Sequence, residues 1–263
     1  MEIDTLAYTN RLRHLPPAQK LIFALAVLCI ALCTHAPSQL LIVLWMGVWT
    51  VGYARIPAKV YLRLIALASG FVLVSLPALF LNVVSTTEMH LAQAEQWGGM
   101  SWGAWYFYIS RSGTEQALVI LPRSLACVSS LLFLLCTVPF TELLQTMRQL
   151  GVPAILTELL LLMYRFVFIL LKTVGELSLA QQARGGYRTW GRALHSSSLL
   201  VGQLLKRTLQ RYQEFSLAVA ARGFTGEFQV WSVPHYRYSK RYALEALLGC
   251  GGLLGLEWWT TIT

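Results

Sequence analysis

The sequence predicts an all-α integral membrane protein, with about five transmembrane helices and long amphipathic helices on the cytoplasmic side. Three observations carry that reading. Of 263 residues, 56% are hydrophobic and 13% charged, and the mean hydropathy is +0.56, too apolar for an ordinary soluble domain. The apolar residues gather in runs of about 20, the length that crosses a bilayer. The net charge of +9 sits in clusters between those runs, as positive-inside topology requires.

Taken in order, the first twenty residues are polar and carry Asp4, Arg11, Arg13 and Lys20. That is not a cleavable signal, so the first span is expected to stay as the anchor. Leu21–Ala36 and Gln39–Ala54 are short runs joined at Pro37-Ser38 and read as a hairpin. Leu62–Val84 is a third span, with Gly70 and Pro77 inside it, breakers that membrane helices tolerate. Ala117–Val138 is a fourth, with Pro122 and Arg123 near its start, and Ala243–Thr261 is a marginal last one.

Charge sets the direction. Arg11, Arg13 and Lys20 precede the first span, and Arg55, Lys59 and Arg63 separate the second from the third. The 85–116 loop holds Glu88, Glu95 and Glu115 against Arg111. The N-terminus is therefore expected in the cytoplasm. Trp97, Trp102, Trp105, Tyr106 and Tyr108 in the outer loop fit an interfacial aromatic belt.

By hydropathy alone Ala154–Val174 would be a further span. Parity opposes it, because residues 175–243 hold ten Lys/Arg against Glu176, Glu214 and Glu227, and a crossing there would export them. Glu158, Arg165 and Lys172 also recur every seven residues, on one helix face, and lipid does not accept a charged stripe. The segment reads as a helix packed partly against the membrane bundle, with a sixth span left open. The organisation is thus four spans in 1–140, a cytoplasmic helical region in 141–235, and a last span in 236–263.

Chemistry-bearing clusters are sparse. Cys29, Cys33, Cys127, Cys136 and Cys250 lie in apolar segments without ligand spacing, so they read as small buried hydrophobes. His14, His35, His90, His195 and His235 are scattered, and Glu88 with His90 is the one pair worth checking. H-E-x-x-H and P-loop motifs are absent. We expect no catalytic residue, no metal site and no cofactor.

A tripeptide occurs twice in the basic region: Ala183-Arg184-Gly185 and Ala221-Arg222-Gly223. Val201, Leu204, Leu205, Tyr212, Phe215 and Val219 recur at a helical period over Leu199–Ala221, with Ser196–Ser198 as N-cap candidates. Glu176–Arg184 is helical in composition and is stopped by Gly185-Gly186. The arginines are 38 residues apart, room for a helix, a turn and a second helix. A single Arg at a helix C-terminus merely complements the dipole. Two, each flanked by Ala and Gly, make slim guanidinium tips suited to carboxylate-lined grooves. Such a pair calls for a partner with two similar grooves.

The chain resembles the transmembrane coupling (T) subunits of energy-coupling factor (ECF) transporters, most closely the CbiQ cobalt transport family. The resemblance runs through Ile3-Asp4, Leu15-Pro16-Pro17-Ala18-Gln19-Lys20, Thr141-Glu142-Leu143-Leu144, Gly151-Val152-Pro153, Arg165, Gln182-Ala183-Arg184-Gly185 and Ala220-Ala221-Arg222-Gly223-Phe224. It implies coupling helices whose two tips dock in grooves of two ABC ATPases (CbiO-like), with Arg184 and Arg222 at the contacts and Ala183, Gly185, Ala221 and Gly223 shaping the tips. It also implies a small substrate-binding membrane subunit (CbiM-like), an accessory membrane subunit (CbiN-like) and the bacterial cytoplasmic membrane. Substrate selection and ATP hydrolysis would belong to the partners, and cobalt(II) or nickel would be the cargo. A self-contained permease is the competing reading; two tips in one chain argue against it. Nucleic acid is not an expected partner, because the basic residues are spaced along helices rather than in a dense run.

Overall fold

The computed structural model describes residues 2–85, 96–102, 105–223, 236 and 238–262. The chain divides into two compact units, Met1–Leu143 with Pro234–Thr263, and Leu144–Val233.

In the first unit, α1 (Glu2–Thr9) and a 3-10 turn (Arg11–His14) lead into α2 (Pro17–Cys33). Pro17 opens α2 where its missing N–H leaves no bond unmade. α3 (Ala36–Gly47) continues as a π-helical turn, Val48–Tyr53. Gln39 closes the α2–α3 corner, its Nε2 donating to the carbonyls of Thr34 at 2.6 Å and Ala31 at 3.1 Å. α4 (Ala58–Ser75) and the short α5 (Pro77–Phe80) follow. This span begins four residues before the expected Leu62 and stops at Phe80 rather than Val84, because Leu81–Ser85 pairs as a strand.

That strand belongs to a small antiparallel sheet: β1 (Leu81–Ser85), β2 (Gln96–Trp102) and β3 (Trp105–Ser110), in the order β1-β3-β2. Leu81 pairs with Ile109 and Trp102 with Trp105. The aromatic run Trp105–Ile109 has high strand propensity, so a segment expected to be loop is partly sheet. Glu88 and His90 lie outside the described residues.

α6 (Arg111–Thr137) starts well before the expected Ala117, since Ser110 caps it by accepting from the Gly113 N–H at 3.3 Å. Pro122 lies inside an otherwise continuous helix. Gly113 allows a close approach to α5: a Cβ there would stand 2.3 Å from the Leu79 carbonyl oxygen. α7 (Phe140–Gln149) comes next, and α10 (Lys240–Ile262) closes the unit.

The core is aromatic. Phe23 of α2, Trp49 of the π-turn and Phe133 of α6 are buried together, with Phe133 edge-on to both rings at 5.5 and 6.3 Å. Val27, Ala31, Ile42, Met46 and Ala126 fill the space around them. Ser130 Oγ donates to the Ala24 carbonyl at 2.8 Å, so the α2–α6 contact is polar as well as apolar. Of the cysteines, Cys136 is buried and Cys127 and Cys250 half-buried, but Cys29 and Cys33 are exposed. The expectation of five buried thiols is therefore corrected: α2 turns these two away from the packed face. α4 exposes Leu67, Phe71 and Val74 by 75–80%, a surface matched to lipid rather than water.

Three contacts fix which helix ends lie together. The Lys20 ammonium donates to the Thr137 carbonyl at 2.9 Å, joining the start of α2 to the end of α6. Gln19 Nε2 donates to the Ser239 carbonyl at 3.3 Å, bringing the start of α10 to the start of α2. Toward the far end of α10, Glu257 accepts from Ser38 Oγ at 2.7 Å and from the His35 backbone N–H at 3.0 Å, and meets the His35 ring. α10 therefore runs parallel to α2, and α6 antiparallel to both. Beside Lys20, burial pushes the Glu142 carboxyl up; Lys20, a hydrogen bond from Tyr236, and Arg13 oppose the shift.

Among the described residues four stretches are long and apolar enough to cross a bilayer: Ala36–Tyr53, Ala58–Phe80, Arg111–Thr137 and Ala154–Ala183. The chain is a multi-pass, all-α membrane protein, with β structure among the described residues confined to 81–110. Pro17–Cys33 is apolar but shorter, and Lys240–Ile262, with Glu245 and Glu257 inside it, is not among the four.

Candidate functional site at the two Ala-Arg-Gly helix ends

The second unit is built on two long helices. α7 ends in a Schellman turn: Gly151 takes φ +97° and donates to Arg148, and Val152 donates to Met147. Pro153 then starts α8 (Ala154–Ala183), one continuous helix of 30 residues. After a turn, α9 (Trp190–Ala221) runs for 32 residues. Its N-cap is Thr189, not Ser196–Ser198 as the sequence suggested. Those serines sit inside the helix because their hydroxyls find carbonyls: Ser197 bonds Ala193, Ser198 bonds His195, and Ser196 bonds Gly186.

α8 and α9 form an antiparallel pair. Phe166 meets Phe215 edge-on at 6.0 Å. Ile169, Leu170 and Thr173 face Arg207, Thr208 and Arg211 across a small gap. Nearer the turn, Leu177–Gly186 faces Arg192–Arg207. Thr173 and Thr208 satisfy their hydroxyls on their own helices, at the carbonyls of Ile169 and Leu204. Of the charged stripe, Arg165 and Lys172 are exposed and Glu158 half-buried.

Both Ala-Arg-Gly triplets end their helices in the same backbone conformation. Arg184 has φ −87° and ψ 7°, and Arg222 has φ −91° and ψ 9°. Gly185 and Gly223 follow at φ +72° and +70°, the left-handed region that a side chain makes costly. At the first end Gly185 donates to Gln182 and Gly186 to Gln181, each at 2.9 Å, a complete Schellman pair. At the second, Gly223 donates to Ala220 at 3.1 Å. Ala183, Arg184, Ala221, Arg222 and Gly223 are exposed, and Gly185 is half-buried. Among the described residues neither guanidinium has an ion pair. The tips stand at opposite ends of α9, about 48 Å apart along a helix of 32 residues.

The ends differ in their bracing. Tyr187 donates to Gln181 Oε1 at 2.9 Å and Ser196 to the Gly186 carbonyl at 3.0 Å, locking the first turn against α9. A Cβ on Gly186 would lie 2.6 Å from Ser196 Oγ, so the second glycine of the doublet makes room for that brace. Among the described residues nothing lies within 4 Å of where a Cβ on Gly223 would stand. Sequence reasoning did not single out Tyr187 and gave Ser196 an N-cap role in place of this brace; the Gly185-Gly186 doublet was the one available signal of a close approach. Alanine at Gly185 or Gly223 is expected to cost about 1–2 kcal/mol at that helix end. Faster hydrogen exchange in the last turn of the affected helix would register it, and unchanged exchange would contradict the left-handed assignment.

Comparison with known proteins places these ends in context. Residues 9–231 match the family model CbiQ, cobalt transport protein. The chain is 30% identical over 231 residues to the cobalt transport protein CbiQ of Salmonella typhimurium, covering 87% of this chain and 99% of that one. Against the energy-coupling factor transporter transmembrane protein EcfT of Brevibacillus brevis it is 26% identical over 226 residues, 81% of this chain and 84% of that one. A protein of Methanocorpusculum labreanum named as a cobalt transport fusion, CbiMQ, is 28% identical over 230 residues, 85% of this chain and 36% of the fusion.

Proposed function

This chain belongs to the CbiQ cobalt transport protein family, and from that premise we propose that it is the transmembrane coupling subunit of an ECF-type importer of a transition-metal ion, cobalt(II) before nickel. The observation that carries the reading is the pair of exposed guanidinium tips, alike in backbone conformation and set at the two ends of one rigid helix. Each tip enters a carboxylate-lined groove of one of two ABC ATPases, where a guanidinium bonds bidentately. A change in groove separation on ATP binding and hydrolysis is then felt along α8 and α9 and passed to a small substrate-binding membrane subunit. The CbiMQ fusion supports that second partner, a CbiM-like protein. The chain does no chemistry of its own; ATP hydrolysis belongs to the ATPases. The membrane is the bacterial cytoplasmic membrane, with the N-terminus inside.

Two observations support a cytoplasmic α8–α9 pair. α6 ends and α10 begins at the face where α2 begins, so the number of crossings between them is even. α9 carries Arg192, Lys206, Arg207, Arg211 and Glu214 and does not suit hydrocarbon, which leaves no second crossing to pair with one by α8. Antiparallel packing also sets Arg207 and Arg211 against Ile169–Thr173, charges that a spanning α8 would draw into lipid. In a cysteine-free background, Cys at position 165 or 172 is expected to react with a membrane-impermeant thiol reagent from the cytoplasmic side; reaction from the outer side overturns this topology.

Co-purification from the native host tests the function itself. An ABC ATPase and a small membrane protein in the eluate, with ATPase activity, are expected. A clean eluate of this chain alone returns the self-contained permease to contention.

A further inference from the structure

Beside the first tip, α8 and α9 part to leave a cavity of about 670 Å³. Farther along the same pair the helices close on Phe166 against Phe215 and on Ile169 and Leu170 against Thr208, Arg207 and Arg211. Here the lining sets apolar Leu177, Ala180 and Leu199 beside Gln181 and Arg184 of α8 and Arg192, His195 and Arg207 on one face of α9. Three guanidinium groups thus line one concavity, and no carboxylate does. Among the described residues none of the three has an ion pair. Like charges gathered along one helix seam work against folding, and such local contradictions mark functional sites. A positive concavity of this kind concentrates anions.

The surroundings indicate what kind of anion. Arg184 both lines the cavity and forms the tip, so an occupant would lie against whatever engages the tip. The turn beside it exposes Trp190 by 81% and Tyr187 by 37%, and Trp, Tyr and Arg are the residues that dominate protein–protein hot spots. The brace from Ser196 to Gly186 and from Tyr187 to Gln181 keeps the wall fixed, so little ordering is needed on binding.

We infer that this cavity receives an acidic segment of the same ATPase subunit that engages Arg184, so that the first tip is a reciprocal joint, one arginine entering the partner and carboxylates of the partner entering this chain. The inference rests on the coupling role proposed above and adds Arg192 and Arg207 to it as partner-binding residues.

Affinity of the purified ATPase subunits for the full chain in nanodiscs, read over a range of salt, is the test. The Arg192→Gln/Arg207→Gln double variant is expected to bind roughly tenfold to hundredfold more weakly at low salt and to lose part of the salt dependence. Arg207→Lys, which keeps charge but not the planar fork, should recover part of the loss, and circular dichroism guards against simple unfolding. Unchanged affinity and salt slope in the double variant, with Arg184→Glu still disruptive, overturns this inference alone. If Arg184→Glu and Arg222→Glu are equally silent, the coupling role itself fails. Unchanged ATPase affinity with weaker retention on phosphatidylglycerol vesicles would assign the cavity to a lipid headgroup and likewise overturn it.

Discussion

If the proposed coupling role holds, reversing charge at both tips, Arg184→Glu with Arg222→Glu, is expected to abolish association with the proposed ATPase pair and metal uptake while the chain stays folded. Each guanidinium buried against a carboxylate in the complex is worth about 2–5 kcal/mol on truncation of one partner, and reversal adds repulsion. One reversed tip should therefore weaken binding by roughly thirtyfold or more, taking about 1.4 kcal/mol per factor of ten. Two reversed tips lose more than the product suggests, since each tip raises the effective concentration of the other. Stability of the isolated chain should hardly move, because both residues are exposed and without an ion pair among the described residues, and surface substitutions usually stay within about 0.5 kcal/mol. Co-purification and uptake measured together decide the matter: normal values in the double variant would sink the coupling role.

The second large effect lies in the core of the first unit. Phe133→Ala is expected to destabilise by about 3–5 kcal/mol, the usual cost of emptying an aromatic site. Phe133 is 1% exposed and edge-on to Phe23 and Trp49, so its removal strips contacts from both. In lipid the cost comes from lost packing rather than from exposure to water. Phe133→Leu should recover much of it. Thermal unfolding in detergent reads the difference, and a melting temperature unchanged for Phe133→Ala would contradict an aromatic core at this position.

Both predictions start from features legible in the sequence to different degrees. The helix ends were read directly, because a C′ glycine acts through its own φ and a Schellman turn spans a few residues. Gly185 and Gly223 adopt the left-handed conformation expected of them. Helix starts were harder. Ser196–Ser198 have N-cap composition, yet Ser197 and Ser198 bond carbonyls within α9 and Ser196 bonds the Gly186 carbonyl before it, and the true start at Trp190 has a cap without a side-chain bond. Ser110, whose capping bond extends α6 upstream, passed unnoticed. The 81–110 sheet was missed because its strands pair across sequence, and an aromatic run reads equally well as an interfacial belt.

Length, hydropathy and the placement of charge were enough by themselves to determine a multi-pass membrane protein with a basic helical region and two arginine-ended helices. These are sums over neighbouring residues, and neighbouring residues are what a sequence displays. Tertiary structure alone decided that α10 runs beside α2 in the same direction, held by Gln19 with Ser239 at one end and His35 with Glu257 at the other. It alone set Arg184, Arg192 and Arg207 along one cavity. Those pairings join residues tens to hundreds apart, and their free energy comes from burial and hydrogen bonds that exist only once the helices have met.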